Sequence, residues 1–123
     1  MKKLPAILIL CFLLPVVRGE ELAPLPPPPG RLLSPAAGAV IEGKISEQEF
    51  VWSVVETARR YHLEVASDRN FYRVLRDLYL EDNRYSLDRL PPGSYYWRVS
   101  SVSNRGLEGR ASPVGYFVYP DSE

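Results

Sequence analysis

His62 is the one histidine in the chain, and imidazole is the side chain that most readily moves protons or binds a metal near neutral pH. Both tasks need company. A Ser–His or Cys–His pair, or a His-based metal site, requires a second member at a workable spacing. There is no second histidine, and the single cysteine, Cys11, lies in an apolar run near the amino terminus. Neither a glycine-rich phosphate loop nor a nucleophile elbow occurs. His62 sits at an outward position of an alternating run, which predicts a solvated surface residue. The pair Glu81-Asp82 could hold a cation or act as acid and base, but beside Asn83 and between two strand-like runs it reads as a turn. No catalytic, metal-binding or cofactor-binding residue is assigned, and the expectation is a protein that is not an enzyme and uses no cofactor.

Arginine and tyrosine carry the remaining chemistry. Arg59-Arg60 and Arg69-x-x-x-Arg73-x-x-Arg76 lie in the same region as Tyr72, Tyr79 and Tyr85. A guanidinium offers a planar fork to carboxylates and stacks on phenol rings, and both residue types are enriched where proteins bind one another. Arg69, Tyr72, Arg73, Arg76 and Tyr79 therefore form the expected partner-binding surface. The alternative is a solvated face on which the arginines pair with Glu64, Asp68, Asp77 and Asp88. Arginine interleaved with tyrosine also suits single-stranded nucleic acid. Charge argues against that partner: 15 basic residues balance 15 acidic ones, where a nucleic-acid binder is ordinarily basic.

The amino terminus is a separate unit. Lys2 and Lys3 precede the apolar run Leu4–Val17, which is too short for a membrane-spanning helix of about 20 residues and suits the core of a secretory signal peptide. Val17-Arg18-Gly19 offers a cleavage site, so residues 1–19 are expected to be a signal peptide, with an uncleaved anchor as the alternative. The mature chain would keep 12 basic and 15 acidic residues, a net charge of −3, with no cysteine and no stable membrane span. A domain exported without disulfides must be held by its apolar core. Residues 20–30, with Pro24 and the run Pro26–Pro29, can form neither helix nor ladder strand and are expected to be an extended polyproline spacer.

From Arg31 onward apolar residues recur with a period of two. Phe50, Trp52 and Val54 form one set; Tyr61, Leu63 and Val65 a second; Tyr95, Trp97 and Val99 a third. Each set marks a strand with one face on a core and one in water. Val114–Tyr119 is strand-like by β-branched and aromatic content, and Leu32-Leu33 begins a short strand. Turn chemistry separates the runs at Pro35–Gly38, Pro91–Gly93, Asn104–Gly106 and Glu108-Gly109. Asn70–Leu80 is read as a loop and twisted edge strand, with a short helical turn as the alternative because Phe71, Val74, Leu75 and Leu78 have helical spacing. About seven short strands in residues 31–120 predict an all-β, antiparallel sandwich of one domain.

Particular residues carry a family resemblance. Trp52, then Tyr61-x-Leu63-x-Val65, then Leu90-Pro91-Pro92-Gly93-Ser94-Tyr95 resembles a fibronectin type III domain, an immunoglobulin-like sandwich. The last stretch implies a tyrosine corner, in which a phenol OH bonds back to the backbone. Strand parity selects Tyr95 for it, whereas the family spacing would select Tyr96. With Leu33-Ser34-Pro35-x-x-Gly38, Phe50-x-Trp52, Ala58-x-x-Tyr61 and Gly106-x-x-Gly109-Arg110-x-Ser112, the series is similar to the bacterial module that accompanies FecR domains in envelope proteins of Gram-negative bacteria. That resemblance implies packing and no catalytic residue. The FecR domain itself is absent from the sequence, so the expectation is a stand-alone interaction module, periplasmic or secreted. Its expected partner is an envelope protein, or alternatively a glycan such as peptidoglycan stacked on Tyr72 or Tyr79.

Overall fold

The computed structural model describes residues 24–120, and the expected signal peptide lies outside them. The alternating runs become strands. In chain order these are β1 (Leu32–Ser34), β2 (Ala39–Val40), β3 (Glu49–Trp52), β4 (Arg60–Ala66), β5 (Val74–Leu80), β6 (Arg84–Ser86), β7 (Gly93–Val102) and β8 (Gly115–Tyr119), with a 3-10 turn at Ile45–Glu47. They build two sheets, one ordered β1-β3-β6 and the other β2-β8-β7-β4-β5. Pairing is antiparallel except where β2 runs parallel to β8. The eighth strand is β2, two residues long and too short to show alternation. It is fixed from both sides, because the Gly38 N–H donates to the Tyr116 carbonyl and the Ile41 N–H to that of Val118.

Aromatic side chains fill the space between the sheets. Phe50 and Trp52 from β3 meet Trp97 from β7 and Phe117 from β8, and none of the four is accessible to solvent. Phe50 stands edge-on to both Trp97, at 4.9 Å, and Phe117, at 5.3 Å, while Trp52 lies 5.6 Å from Tyr61. Edge-to-face contact sets the electropositive rim of one ring on the electronegative face of the next. Leu63, Val65 and Val99 complete the layer. Gly115 is dictated by this packing, since a Cβ there would lie 2.7 Å from Trp97 Nε1.

Tyr95 closes one end of the sandwich. Its hydroxyl donates to the Pro91 carbonyl and its ring stacks on Phe117 at 5.5 Å, so parity named the corner tyrosine. Tyr96 lies on the opposite side of β7 against Tyr116. Asn70–Leu80 resolves into a loop followed by the edge strand β5, and its helical spacing goes unused. Phe71 belongs to the loop, while Leu78 lies opposite Leu63.

The proline segment does not stand clear of the domain. Pro27 and Gly30 are buried, and a Cβ on Gly109 would collide with the Pro27 carbonyl oxygen. Gly109→Ala is thus expected to dislodge residues 24–30 while the sandwich stays folded, which limited proteolysis of that segment would reveal. Trp52→Ala removes a ring at the centre of the core and should destabilise the domain by about 3–5 kcal/mol, measured by denaturant unfolding; a variant as stable as the parent would contradict the packing described here.

Candidate functional site

Strand alternation divides the five residues expected to form one surface. In the β4–β5 register His62 lies opposite Tyr79, Glu64 opposite Asp77, and Val65 opposite Arg76. Val65 points into the core, so Arg76 takes the inner side of β5, whereas Asp77 and Tyr79 take the outer face. Arg69, Tyr72 and Arg73 lie in the loop that joins the two strands. The expected surface is therefore three neighbouring pieces rather than one patch, because a period of two turns adjacent residues to opposite faces.

Arg76 is occupied within the domain. Its guanidinium donates to the carbonyls of Arg89, at 2.6 Å, and Leu75, at 3.0 Å, and lies 3.5 Å from the Asp88 carboxylate. It thereby ties β5 to the connection between β6 and β7. Beside it opens a shallow groove of about 460 Å³, lined by Leu75, Arg76, Arg89, Leu90 and Pro91. On the far side of β5 no strand among the described residues pairs with it, and Val74 and Leu75 remain 37% and 38% exposed.

The β4–β5 loop is shaped by one carboxylate. Asp68 accepts backbone N–H groups from Asn70, Tyr72 and Arg73, at 3.2, 3.1 and 2.7 Å. The Arg73 N–H is the strongest of the influences that hold the Asp68 carboxyl below its ordinary value, the other two donors adding to it. Phe71 inside this loop has φ +58°, a left-handed conformation that costs an ordinary residue about 1–2 kcal/mol. Its ring is held by the Arg98 guanidinium, 4.0 Å from the ring centre, and Arg98 is itself paired with Glu64 at 2.7 Å. Phe71 is thus pinned against the outer face of the larger sheet, while its neighbour Tyr72 turns to solvent and is 86% exposed. Arg69 lies over the Tyr96 ring at 5.3 Å.

His62 corrects the expectation of a solvated residue. It is on the outer face as parity requires, yet its side chain is only 13% exposed. Nδ1 lies 2.6 Å from Glu108 Oε2, Nε2 lies 2.6 Å from Asp77 Oδ1, and the ring stacks on Tyr79 at 4.3 Å. Tyr79 in turn donates to Glu108 Oε1 at 2.8 Å and lies under the Arg60 guanidinium. Burial alone would lower the His62 pKa, but the hydrogen bonds to Glu108 and Asp77 and the surrounding carboxylates outweigh it and hold the group above 6.5. Burial likewise pushes Glu108 up, and its bonds to His62 and Tyr79 bring it below its ordinary value. Alternation reveals the face a side chain occupies but not that a carboxylate 46 residues away will cover it.

Donor atoms of His62, Glu64 and Asp77 lie within 4.8 Å of one another, the spacing of a metal cage. These atoms already have partners: Nε2 faces Asp77, Nδ1 faces Glu108, and both Glu64 oxygens accept from Arg98. With Arg60 and Arg98 adding positive charge, the group is an ion-pair network. Two of the anticipated arginine–carboxylate pairings involve Glu64 and Asp88, while Asp68 and Asp77 find other donors. Glu81 and Asp82 are exposed in the β5–β6 turn, as read from the sequence. The exposed Val74 and Leu75 were missed; their signal was two adjacent apolar residues at the start of an edge strand.

Asp68→Ala is expected to loosen the loop without unfolding the sandwich, seen as faster amide exchange at Asn70, Tyr72 and Arg73. The Asp68 carboxyl is depressed in the folded state, so the loop order it supplies is present above its unfolded value of 3.8 and lost as pH falls through the lower folded value. Exchange corrected for intrinsic rate should rise over that acidic range in the parent protein and stay level in the variant.

Neither a family model nor a curated protein matches the chain. Solved structures do. An Fn3-like protein from Clostridium thermocellum superimposes with a TM-score of 0.57 at 22% identity, over 80% of this chain and 97% of that one. The fibronectin type III domain of human fibronectin type III domain containing protein 3 gives 0.54 at 23% identity, over 81% and 93%. The fibronectin(III)-like modules of CbhA from Clostridium thermocellum give 0.53 at 9%, over 76% and 99%. Identities this low speak to architecture alone, and the architecture is that of a fibronectin type III-like β-sandwich.

Proposed function

We propose that this chain is a non-enzymatic interaction module of the cell envelope, binding another envelope protein along the open edge of β5. Modules of this fold are commonly non-enzymatic interaction domains. The observation that carries the reading is the edge itself. β5 is seven residues long and, among the described residues, pairs on one side only. Open edges are usually guarded by lysine, proline or charge. β5 has neither lysine nor proline, and its two charges, Arg76 and Asp77, are turned to partners within the domain. An extended segment of a partner can add to such an edge by main-chain hydrogen bonds and seat an apolar side chain in the adjoining groove. Tyr72 and Arg73 stand at the entrance.

Export is supported by the Lys2-Lys3 and Leu4–Val17 pattern and by the resemblance to modules that accompany FecR domains. The absence of cysteine after Gly19 suits a periplasmic life. A glycan reading has less support, because sugar stacking needs open aromatic faces. Tyr79 already stacks on His62, which leaves Tyr72 alone of the two.

Site-specific photocrosslinking in living cells tests the edge. A crosslinker placed at Tyr72 or Leu75 should yield one discrete protein adduct, while one at Val40, exposed at the opposite sheet edge, should not. Leu75→Asp should weaken binding of the purified partner by at least about 2 kcal/mol, the scale of an interface hot spot. Equal labelling from Val40 would overturn the assignment. Retention on peptidoglycan that Tyr72→Ala abolishes would favour the glycan instead.

A further inference from the structure

We propose that His62, held between Asp77 and Glu108, is a proton-operated latch that fastens the edge strand β5 and the β7–β8 connection to β4, the strand next to that edge. The inference is independent of which molecule binds the edge. It follows from counting protons. An imidazolium has two N–H donors and a neutral imidazole has one. Both ring nitrogens of His62 lie 2.6 Å from a carboxylate oxygen, so both contacts can be hydrogen bonds only in the charged form. Once the ring loses a proton, one carboxylate faces a lone pair at that distance, and the contact must open.

The partners of His62 come from two other parts of the fold, β5 and the β7–β8 connection. His62 is central in β4, with β5 on one side and β7 on the other. Asp77 and Tyr79 reach it from β5; Ser100 lies opposite it on β7. Glu108 comes from the β7–β8 connection, just before Gly109, whose close approach accommodates Pro27. The charged groups next to this array are Arg60 and Glu64 of β4 and Arg98 of β7; Arg69 of the β4–β5 loop lies farther along the same face, over Tyr96. Arg60 lies over Tyr79, and Arg98 is paired with Glu64. With the ring protonated, three cations (His62, Arg60, Arg98) balance three carboxylates (Glu64, Asp77, Glu108). Loss of the proton leaves one negative charge in excess.

Asp77 is the contact that opens. Glu108 keeps a second bond, from the Tyr79 hydroxyl. The Asp77 side chain is 57% exposed and its one hydrogen-bond partner among the described residues is His62. Release of Asp77 frees the centre of β5 and restores a negative charge to the edge. Because the folded-state pKa of His62 is raised above 6.5, the latch contributes its full stability below pH 6.5 and loses it as pH rises through the folded value. Glu108, depressed in the fold, sets the acid limit: its contribution is present above 4.5 and lost as pH falls through its lower folded value.

Two measurements on the protein test this. NMR of the His62 ring should show both nitrogens protonated in mildly acidic solution and a titration midpoint above 6.5, which Asp77→Asn and Glu108→Gln should each lower. Amide exchange in β5, corrected for intrinsic rate, should lose protection through that midpoint, about tenfold for each pH unit by which the midpoint exceeds 6.5. In His62→Gln, which keeps the outward face polar, protection should be level across the same range. A midpoint at or below 6.5 would overturn the proposal. So would a pH dependence in β5 that survives in His62→Gln.

Discussion

Four aromatic rings, Phe50, Trp52, Trp97 and Phe117, are wedged between the two sheets, and the remaining structure is arranged around that contact. They come from β3, β7 and β8, so their packing is what joins a three-stranded sheet to a five-stranded one. The single cysteine, Cys11, lies outside residues 24–120, and no disulfide among those residues can share the task. Burial on this scale must offset the chain entropy lost on ordering some ninety residues, a loss of about 1–2 kcal/mol per residue. The demands of the rings reach outward: Gly115 stays small because Trp97 needs its space, and Tyr95 stacks on Phe117 while bonding to Pro91.

A rigid interior lets the outer face of the larger sheet hold a dense polar array. His62, Glu64, Asp77, Tyr79, Arg98 and Glu108 are joined by hydrogen bonds and ring contacts that span three strands and a loop. Such networks are strong when every member is satisfied and costly when one is not. Here the six members come from four segments, so the array reports whether those segments are in place. The inner aromatic layer and the outer ionic layer therefore act on shared strands by different means, one without titrating groups at its centre and the other responsive to pH.

Period-two patterning made the architecture legible, because a sandwich exposes alternate residues to core and water. The parity of Tyr95 with Trp97 and Val99 also identified the corner tyrosine. The candidate surface was legible only in part. Arginine and tyrosine were recognised by type, but Arg76 and Tyr79 are three residues apart on one strand and face opposite ways. His62 was assigned to the right face and the wrong environment, since Glu108 reaches it across 46 residues of sequence. Contacts of that kind are set by strand order, and strand order is not written in local alternation. Proline content announced an extended segment at 20–30 but could not announce that Gly109 leaves room for Pro27 to lie against it.

That docked segment gives the domain a polarity. Pro24 and Leu25 line a cleft together with Ala58, Arg59, Ser103 and Asn104, so the chain enters the sandwich at the end where β4 begins. The Tyr72 loop is at the other end of β4, seven strand residues away, roughly 20 Å at the usual rise of about 3.3 Å per residue. The described chain thus begins at one end of the strands and presents the Tyr72 loop at the other, so anything that meets the loop meets the domain a full strand length from Pro24.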